Sequence, residues 1–245
     1  MGAKKVNLIS LSLRFTVGFT WISFWSLVSI SLMILCLPFR NLRIRLGNLT
    51  GKLIGPFITR MTGTKLKYSN YNKINETKPA IFVMNHASAL DIFVAMALCP
   101  YGGCGVGKKE IVKIPFFGQV YWLSGHLLID RSNREKAIES MNRLSKQVKE
   151  NNLSIWIWPE GTRSEDGKLL PFKKGFAHLA LSTKLPIVPV ILHDAYKRWP
   201  TKSMNFYPGE AKVDILDPIN TNNWKKDSIN EHIEEVRGAM ANALA

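Results

Sequence analysis

Six short apolar runs, at residues 80–84, 103–107, 126–130, 153–158, 187–192 and 211–216, alternate with stretches of helical periodicity. No other feature constrains the fold as strongly. The runs are near-continuous rather than alternating polar with apolar, so each reads as a strand covered on both faces. Buried strands separated by helices build an α/β domain with a largely parallel central sheet flanked by helices. Between two runs, residues 133–150 place Ala137, Met141, Leu144 and Val148 on one helical face, with Ser132 and Glu135 spaced as a capping box. Ser228 and Glu231 repeat that spacing at the head of a C-terminal helix, after a loop expected at 220–226.

The first third of the chain has a different character. Residues 15–39 contain no charge and are bounded by Arg14 and Arg40. Twenty-five such residues suffice to cross a bilayer as a helix, and the run is too long, with no small-residue cleavage pattern after it, for a signal peptide. Thr20, Ser23, Ser26 and Ser29 recur every third residue, a small polar stripe on which a second helix can pack, while Trp21 and Trp25 suit an interface. Leu42, Leu46, Leu49, Leu53, Phe57 and Met61 then mark an amphipathic helix interrupted at Gly55-Pro56. The favoured reading is a two-helix membrane anchor over residues 1–64, dipping into one leaflet or spanning once, ahead of the α/β domain over 65–245. The competing reading docks the second helix on the core.

Net charge is +15, which by itself admits nucleic acid, a membrane surface or an anionic substrate. Residues 1–80 hold twelve Lys or Arg against the single acid Glu76, so the excess lies beside the most apolar segment and favours anionic lipid. Neither zinc-finger spacing nor an aromatic RNA-binding motif supports a nucleic-acid partner. Cys36, Cys99 and Cys104 are too few and too scattered for a disulfide framework, which implies a reducing compartment. His126, His178, His193 and His232 lack the spacing of a metal cluster, so no metal is expected.

Two polar clusters follow directly on apolar runs. The first is Asn85-His86, with Asp91 five residues after the histidine. Imidazole accepts a proton near neutral pH, and a carboxylate on its other ring nitrogen fixes the tautomer and stabilises the imidazolium, which makes His86 and Asp91 a general-base dyad. Five residues along an unbroken helix separate two side chains by roughly 140°, so the chain must bend between them, as the small residues Ala87, Ser88 and Ala89 permit. The second cluster runs from Trp158 to Ser164, and residues beyond two strand ends share a crevice in open α/β sheets. There Arg163 is suited to phosphate through its planar guanidinium, and Gly161 to close backbone approach. Glu160 either holds substrate hydroxyls with Thr162 or pairs with Arg163. Lys108 and Arg131 follow two further runs and either complete an electropositive rim or are solvated surface charges. Pro189 is expected to shape a strand end, and no Gly-x-Ser-x-Gly elbow marks a covalent nucleophile.

Four ordered blocks resemble those of the glycerolipid acyltransferases: Asn-His-x-x-x-x-Asp at 85–91, Gly-x-x-x-Ile-Asp-Arg at 125–131, Pro-Glu-Gly-Thr-Arg at 159–163 and Ile-Val-Pro-Val at 187–190. The likeness covers about 79–192 and is nearest to the bacterial-type branch acting on 1-acylglycerol 3-phosphate; Trp158 stands where that family usually has Phe. The resemblance implies transfer of an acyl chain from acyl-CoA or acyl carrier protein, as co-substrate and with no cofactor, to the sn-2 hydroxyl of lysophosphatidic acid. It further implies phosphatidic acid as product, His86 and Asp91 as catalytic pair, and the inner (cytoplasmic) membrane as location, with the catalytic domain facing the cytoplasm. Glycerol 3-phosphate or another lysolipid as acceptor is the alternative within enzymes. A non-catalytic membrane lipid-binding protein is the alternative outside them.

Overall fold

A computed structural model describes residues 6–130 and 132–245, without the side chain of Arg134. Two helices come first, α1 (Leu8–Leu35) and α2 (Arg40–Met61), followed by strand β1 (Thr64–Ser69) and the short helix α3 (Lys73–Glu76). The central part runs β2 (Ile81–Met84), α4 (Leu90–Leu98), β3 (Gly103–Lys108), α5 (Phe117–Leu123), β4 (Leu127–Ile129), α6 (Arg134–Asn151) and β5 (Ser154–Ile157). The chain finishes with α7 (Gly175–Thr183), β6 (Ile187–Leu192), α8 (Ala195–Arg198), β7 (Gly209–Ile215) and α9 (Ile229–Leu244).

Among the described residues, seven strands form one sheet in the order β1-β7-β6-β2-β5-β3-β4, parallel at every pairing except β6 with β7. The largely parallel α/β architecture read from the sequence is therefore present. Ile81↔Ile155 and Ile81↔Ile187 set the register at the centre. Because side chains alternate across a strand, Ile81 and Val83 face one layer while Phe82 and Met84 face the other. The first layer is closed by Leu144 and Val148 of α6, Phe176 and Leu179 of α7, and Ile233 and Val236 of α9. The second is closed by Leu90, Val94 and Leu98 of α4 with Ala195 of α8.

Several local expectations are corrected. Asn133, not Ser132, caps α6, its side chain accepting from the Lys136 N–H at 2.8 Å; the N3 residue is then a lysine, so the predicted box gives way to a simple cap displaced by one residue. Ser228 makes no capping bond; its hydroxyl lies 3.1 Å from His232 Nε2 instead. Pro189 sits inside β6 rather than at its end. It falls where the β7 ladder stops at Val190↔Ile215 before the isolated Ile187↔Ile219 bridge, so its missing N–H leaves no rung unpaired. Strand β1, absent from the sequence reading, pairs in parallel with β7 from Thr64↔Gly209 to Ser69↔Asp214.

The N-terminal helices form a hairpin whose second arm lies along the domain. Helix α2 runs unbroken through Gly55-Pro56 and buries Ile44, Asn48, Gly51, Ile54, Gly55 and Ile58, whereas Leu42 and Leu49 of the expected apolar stripe remain 44% and 45% exposed. Glycine is what permits this contact, since a Cβ at Gly51 would lie 2.9 Å from Met96 O and one at Gly55 2.3 Å from Phe93 O. Asn48 closes the seam, donating to Gly103 O and accepting from Gly102 N–H, both at 2.9 Å. Arg40 and Arg43 donate to Gly125 O and Leu123 O at the end of α5, and Lys52 reaches Ala97 O in α4. Cations at helix C-termini complement the dipole, so part of the basic excess is spent inside the fold. Of the small polar stripe, Ser26 and Ser29 are buried, with Ser29 hydrogen-bonded to Thr50, but Thr20 is exposed. The rest of α1 presents Leu8, Ile9, Leu13, Phe19, Phe24, Leu27 and Leu35 to the outside, each more than half exposed, and α1 is long and apolar enough to cross a membrane.

Candidate active site

Asn85 follows the end of β2, and its side chain extends the sheet. Its amide donates to Leu192 O at 3.0 Å and accepts from Leu192 N–H at 2.8 Å, adding one rung between β2 and β6. The chain then turns through Ala87, Ser88 and Ala89, and α4 starts at Leu90, so Asp91 in its first turn comes back to His86. His86 Nδ1 lies 2.9 Å from Asp91 Oδ2, an oxygen that also accepts from the Ala87 and Ser88 N–H groups at 2.6 and 2.8 Å. With a carboxylate on the Nδ1 side, the proton of the neutral imidazole belongs there, leaving Nε2 free to accept. Asp91 is 1% exposed, and its orientation is fixed by the two amides.

The loop after β5 is strapped to this histidine. Glu160, 2% exposed, accepts the His86 N–H through Oε1 at 2.6 Å and the Leu170 N–H through Oε2 at 2.9 Å. Burial pushes its carboxyl up to about 7, against the two amides that favour the ionised form; the nearby Asp91 charge adds to the upward push. The expected ion pair with Arg163 is not formed, and each carboxylate oxygen accepts one backbone amide. Ser164 N–H donates to His86 O at 2.8 Å, and the Trp158 indole stacks on the imidazole with centroids 4.9 Å apart and planes 28° apart. Gly161 takes φ +73°, the left-handed conformation that turns the loop between these anchors.

Thr162, Arg163 and Lys108 are exposed and, with Gly161, His86 and Trp158, line a cavity of about 390 Å³. Arg131 lies outside the described residues. The cavity passes Gly105, Gly107 and Tyr121 and is closed by Met96 of α4, Gly51 and Ile54 of α2 and Ser26 of α1. Its lining is mostly apolar, and cationic groups lie beside the histidine. Ser88 is completely buried, its hydroxyl donating to Trp199 O at 2.6 Å and accepting from Leu90 N–H at 3.0 Å, which removes it as a nucleophile. Burial pushes the Cys99 and Cys104 thiols up to about 12, so neither supplies a thiolate at neutral pH.

Sequence reasoning missed Tyr121 and His126 in the cavity wall and the stacking role of Trp158. His126 Nδ1 accepts the Gly105 N–H at 2.9 Å, its ring lies 4.3 Å from that of Tyr121, and burial drives it down to about 4, so it is neutral at physiological pH. The signal for this wall was present in Gly103, Gly105 and Gly107, three glycines on one face of β3. A Cβ at Gly105 would stand 3.0 Å from Tyr121 Oη, and one at Gly107 2.5 Å from Ile111 Cδ1.

A partly exposed His86 held by a buried Asp91 beyond one parallel strand, tied to a Pro-Glu-Gly-Thr-Arg loop beyond its neighbour, fits an acyltransferase, and residues 65–193 match the family described as Acyltransferase: the chain belongs to it. Among relatives of known activity, the 1-acyl-sn-glycerol-3-phosphate acyltransferase of Limnanthes douglasii is 44% identical over 220 residues, covering 90% of this chain and 76% of that protein. The enzyme of the same name from Escherichia coli (strain K12) is 34% identical over 199 residues, covering 81% and 78%. The crystal structure of the 1-acyl-sn-glycerophosphate (LPA) acyltransferase from Thermotoga maritima superposes with a TM-score of 0.81 over 97% of this chain and 94% of that one; at 22% identity it establishes the shared fold.

Proposed function

We propose that the chain transfers an acyl group from an acyl thioester, acyl-CoA or acyl carrier protein, to the sn-2 hydroxyl of 1-acylglycerol 3-phosphate, giving phosphatidic acid for phospholipid synthesis. The observation that carries this reading is the His86–Asp91 dyad beside Arg163 in one apolar cavity. His86 Nε2 takes the hydroxyl proton as the oxygen attacks the thioester carbonyl. Asp91 stabilises the imidazolium so formed. When the carbon–sulfur bond breaks, the imidazolium returns the proton to the departing thiolate. Arg163 holds the acceptor phosphate through paired N–H donors, Lys108 adds charge at the rim, and the apolar wall takes acyl chain. Glu160 and Trp158 act through His86, by fixing its backbone and ring.

The hairpin supports a location at a membrane. Phe15 packs on Phe206, so the first half of α1 lies against the domain along one side while its outward face is apolar. That arrangement suits a helix lying in one leaflet better than one crossing both. The proposed site is the cytoplasmic (inner) membrane, with the catalytic domain on the cytoplasmic face.

Detergent-purified protein given acyl-CoA or acyl carrier protein thioester is expected to release thiol only when lysophosphatidic acid is added. Release that ignores the acceptor, or none with any lysolipid, would overturn the assignment. Arg163→Ala is expected to raise the KM for the acceptor about 10–100-fold while kcat changes little, since it removes charge-assisted bonds to a group remote from the reacting atoms. Initial rates against acceptor concentration read the split.

A further inference from the structure

Helix α2 is a partition with a cavity on each side. Gly47, Gly51 and Ile54 face the catalytic cavity, whereas Leu42, Arg45, Leu46 and Leu49 line a second recess of about 780 Å³. The opposite wall of the recess is Lys78, Pro79, Tyr101 and residues 151–154, where β2, β3 and β5 begin, at the end of the sheet away from His86. Pockets for small ligands span about 300–1,000 Å³, so the recess has room for a headgroup and part of a chain.

Its charge is one-sided. Arg45 and Lys78 are exposed on it, neither makes an ion pair among the described residues, and no Asp or Glu lines it. Lys52 places its ammonium 5.3 Å from the centre of the ring of Tyr101, a residue of the recess wall, and is held below its ordinary pKa chiefly by burial. Beside these cations runs the leucine stripe of α2, of which the fold leaves Leu42 and Leu49 nearly half exposed. It continues onto Leu35, Leu37 and Phe39 at the bend of the hairpin, 78%, 49% and 64% exposed. Unneutralised cations next to an apolar strip on the membrane-facing hairpin complement one kind of molecule, an anion carried on hydrocarbon.

We infer that this recess binds one anionic glycerophospholipid of the surrounding membrane, its phosphate between Arg45 and Lys78 and one acyl chain along Leu42, Leu46 and Leu49. The site is separate from the acceptor site at Arg163, with α2 between them. An occupant there would hold the domain against an anionic bilayer from the side opposite the chemistry.

Native mass spectrometry of the detergent-purified full chain, titrated separately with dioctanoylphosphatidylglycerol and dioctanoylphosphatidylcholine, tests this. One phosphatidylglycerol is expected to be retained per chain, about ten-fold more tightly than phosphatidylcholine, as befits two charge-assisted contacts. Arg45→Gln with Lys78→Gln should weaken it about ten-fold or more without changing the thermal midpoint, since both side chains are exposed and unpaired. Leu49→Gln should weaken it through the chain wall, and Arg163→Ala should leave it unchanged. Equal retention of both lipids, retention unaffected by either recess variant, or loss in Arg163→Ala would each overturn the site.

Discussion

His86→Ala is expected to lower kcat about 10²–10⁴-fold while the lysolipid acceptor still binds within a few-fold of its original affinity, because the imidazole takes a proton that moves only in the transition state. The surroundings make this a test of chemistry rather than of folding. The side chain is partly exposed at the cavity, and its anchoring bonds, N–H to Glu160 and C=O from Ser164, are made by backbone that alanine retains. What alanine leaves behind is Asp91, 1% exposed and still accepting from Ala87 and Ser88 N–H, so the carboxylate keeps two of its three partners. A burst of thiol release followed by slow turnover would point instead to an acyl-enzyme, for which the buried hydroxyl of Ser88 is unsuited. Acceptor binding lost in parallel with kcat would show that His86 positions the lysolipid instead of deprotonating it.

The dyad was legible because its chemistry is local. Asn85, His86 and Asp91 lie within seven residues, and small residues between them announced the turn. The central strands were legible for a related reason: a strand covered on both faces writes an apolar run into the sequence, whatever its partners. Edge strand β1 writes none. Its Thr-Lys-Leu-Lys-Tyr-Ser buries only Thr64 fully, and edge lysines of this kind keep a free strand margin from pairing with other chains. The role of Glu160 was out of reach too. Its partners, the amides of His86 and Leu170, are 74 and 10 residues away and carry no side-chain signature. The acidic residue of a Pro-Glu-Gly-Thr-Arg loop invites a substrate contact, and only the fold shows each of its oxygens holding a backbone amide.

The face by which α2 docks on α4 was not legible because it is built of Gly51 and Gly55 and carries no bulk, and the second prediction with a large effect turns on that. Gly55→Ala is expected to destabilise the protein by about 2 kcal/mol, although alanine is favoured over glycine within a helix by up to about 1 kcal/mol. The added methyl would stand 2.3 Å from Phe93 O and 2.9 Å from Ala97 N, both backbone atoms of α4 that no rotamer change can move aside. Overpacking of that kind costs about 1–3 kcal/mol or more, and here it exceeds the gain in helix propensity. Gly238 in α9 supplies the control, since a Cβ there meets nothing within 4 Å, and Gly238→Ala should stabilise by the propensity difference alone. In a chain of this size the two substitutions should therefore move the thermal midpoint in opposite directions, down by about 4–8 °C and up by about 2–4 °C. Relief of the clash would tilt α2 off α4 and displace Gly51 and Ile54 from the cavity wall, so Gly55→Ala should also lose turnover at temperatures where it remains folded. A midpoint raised by Gly55→Ala as much as by Gly238→Ala would mean that the hairpin rides loosely on the domain, and that the close approach of α2 to α4 contributes nothing to holding the catalytic cavity in shape.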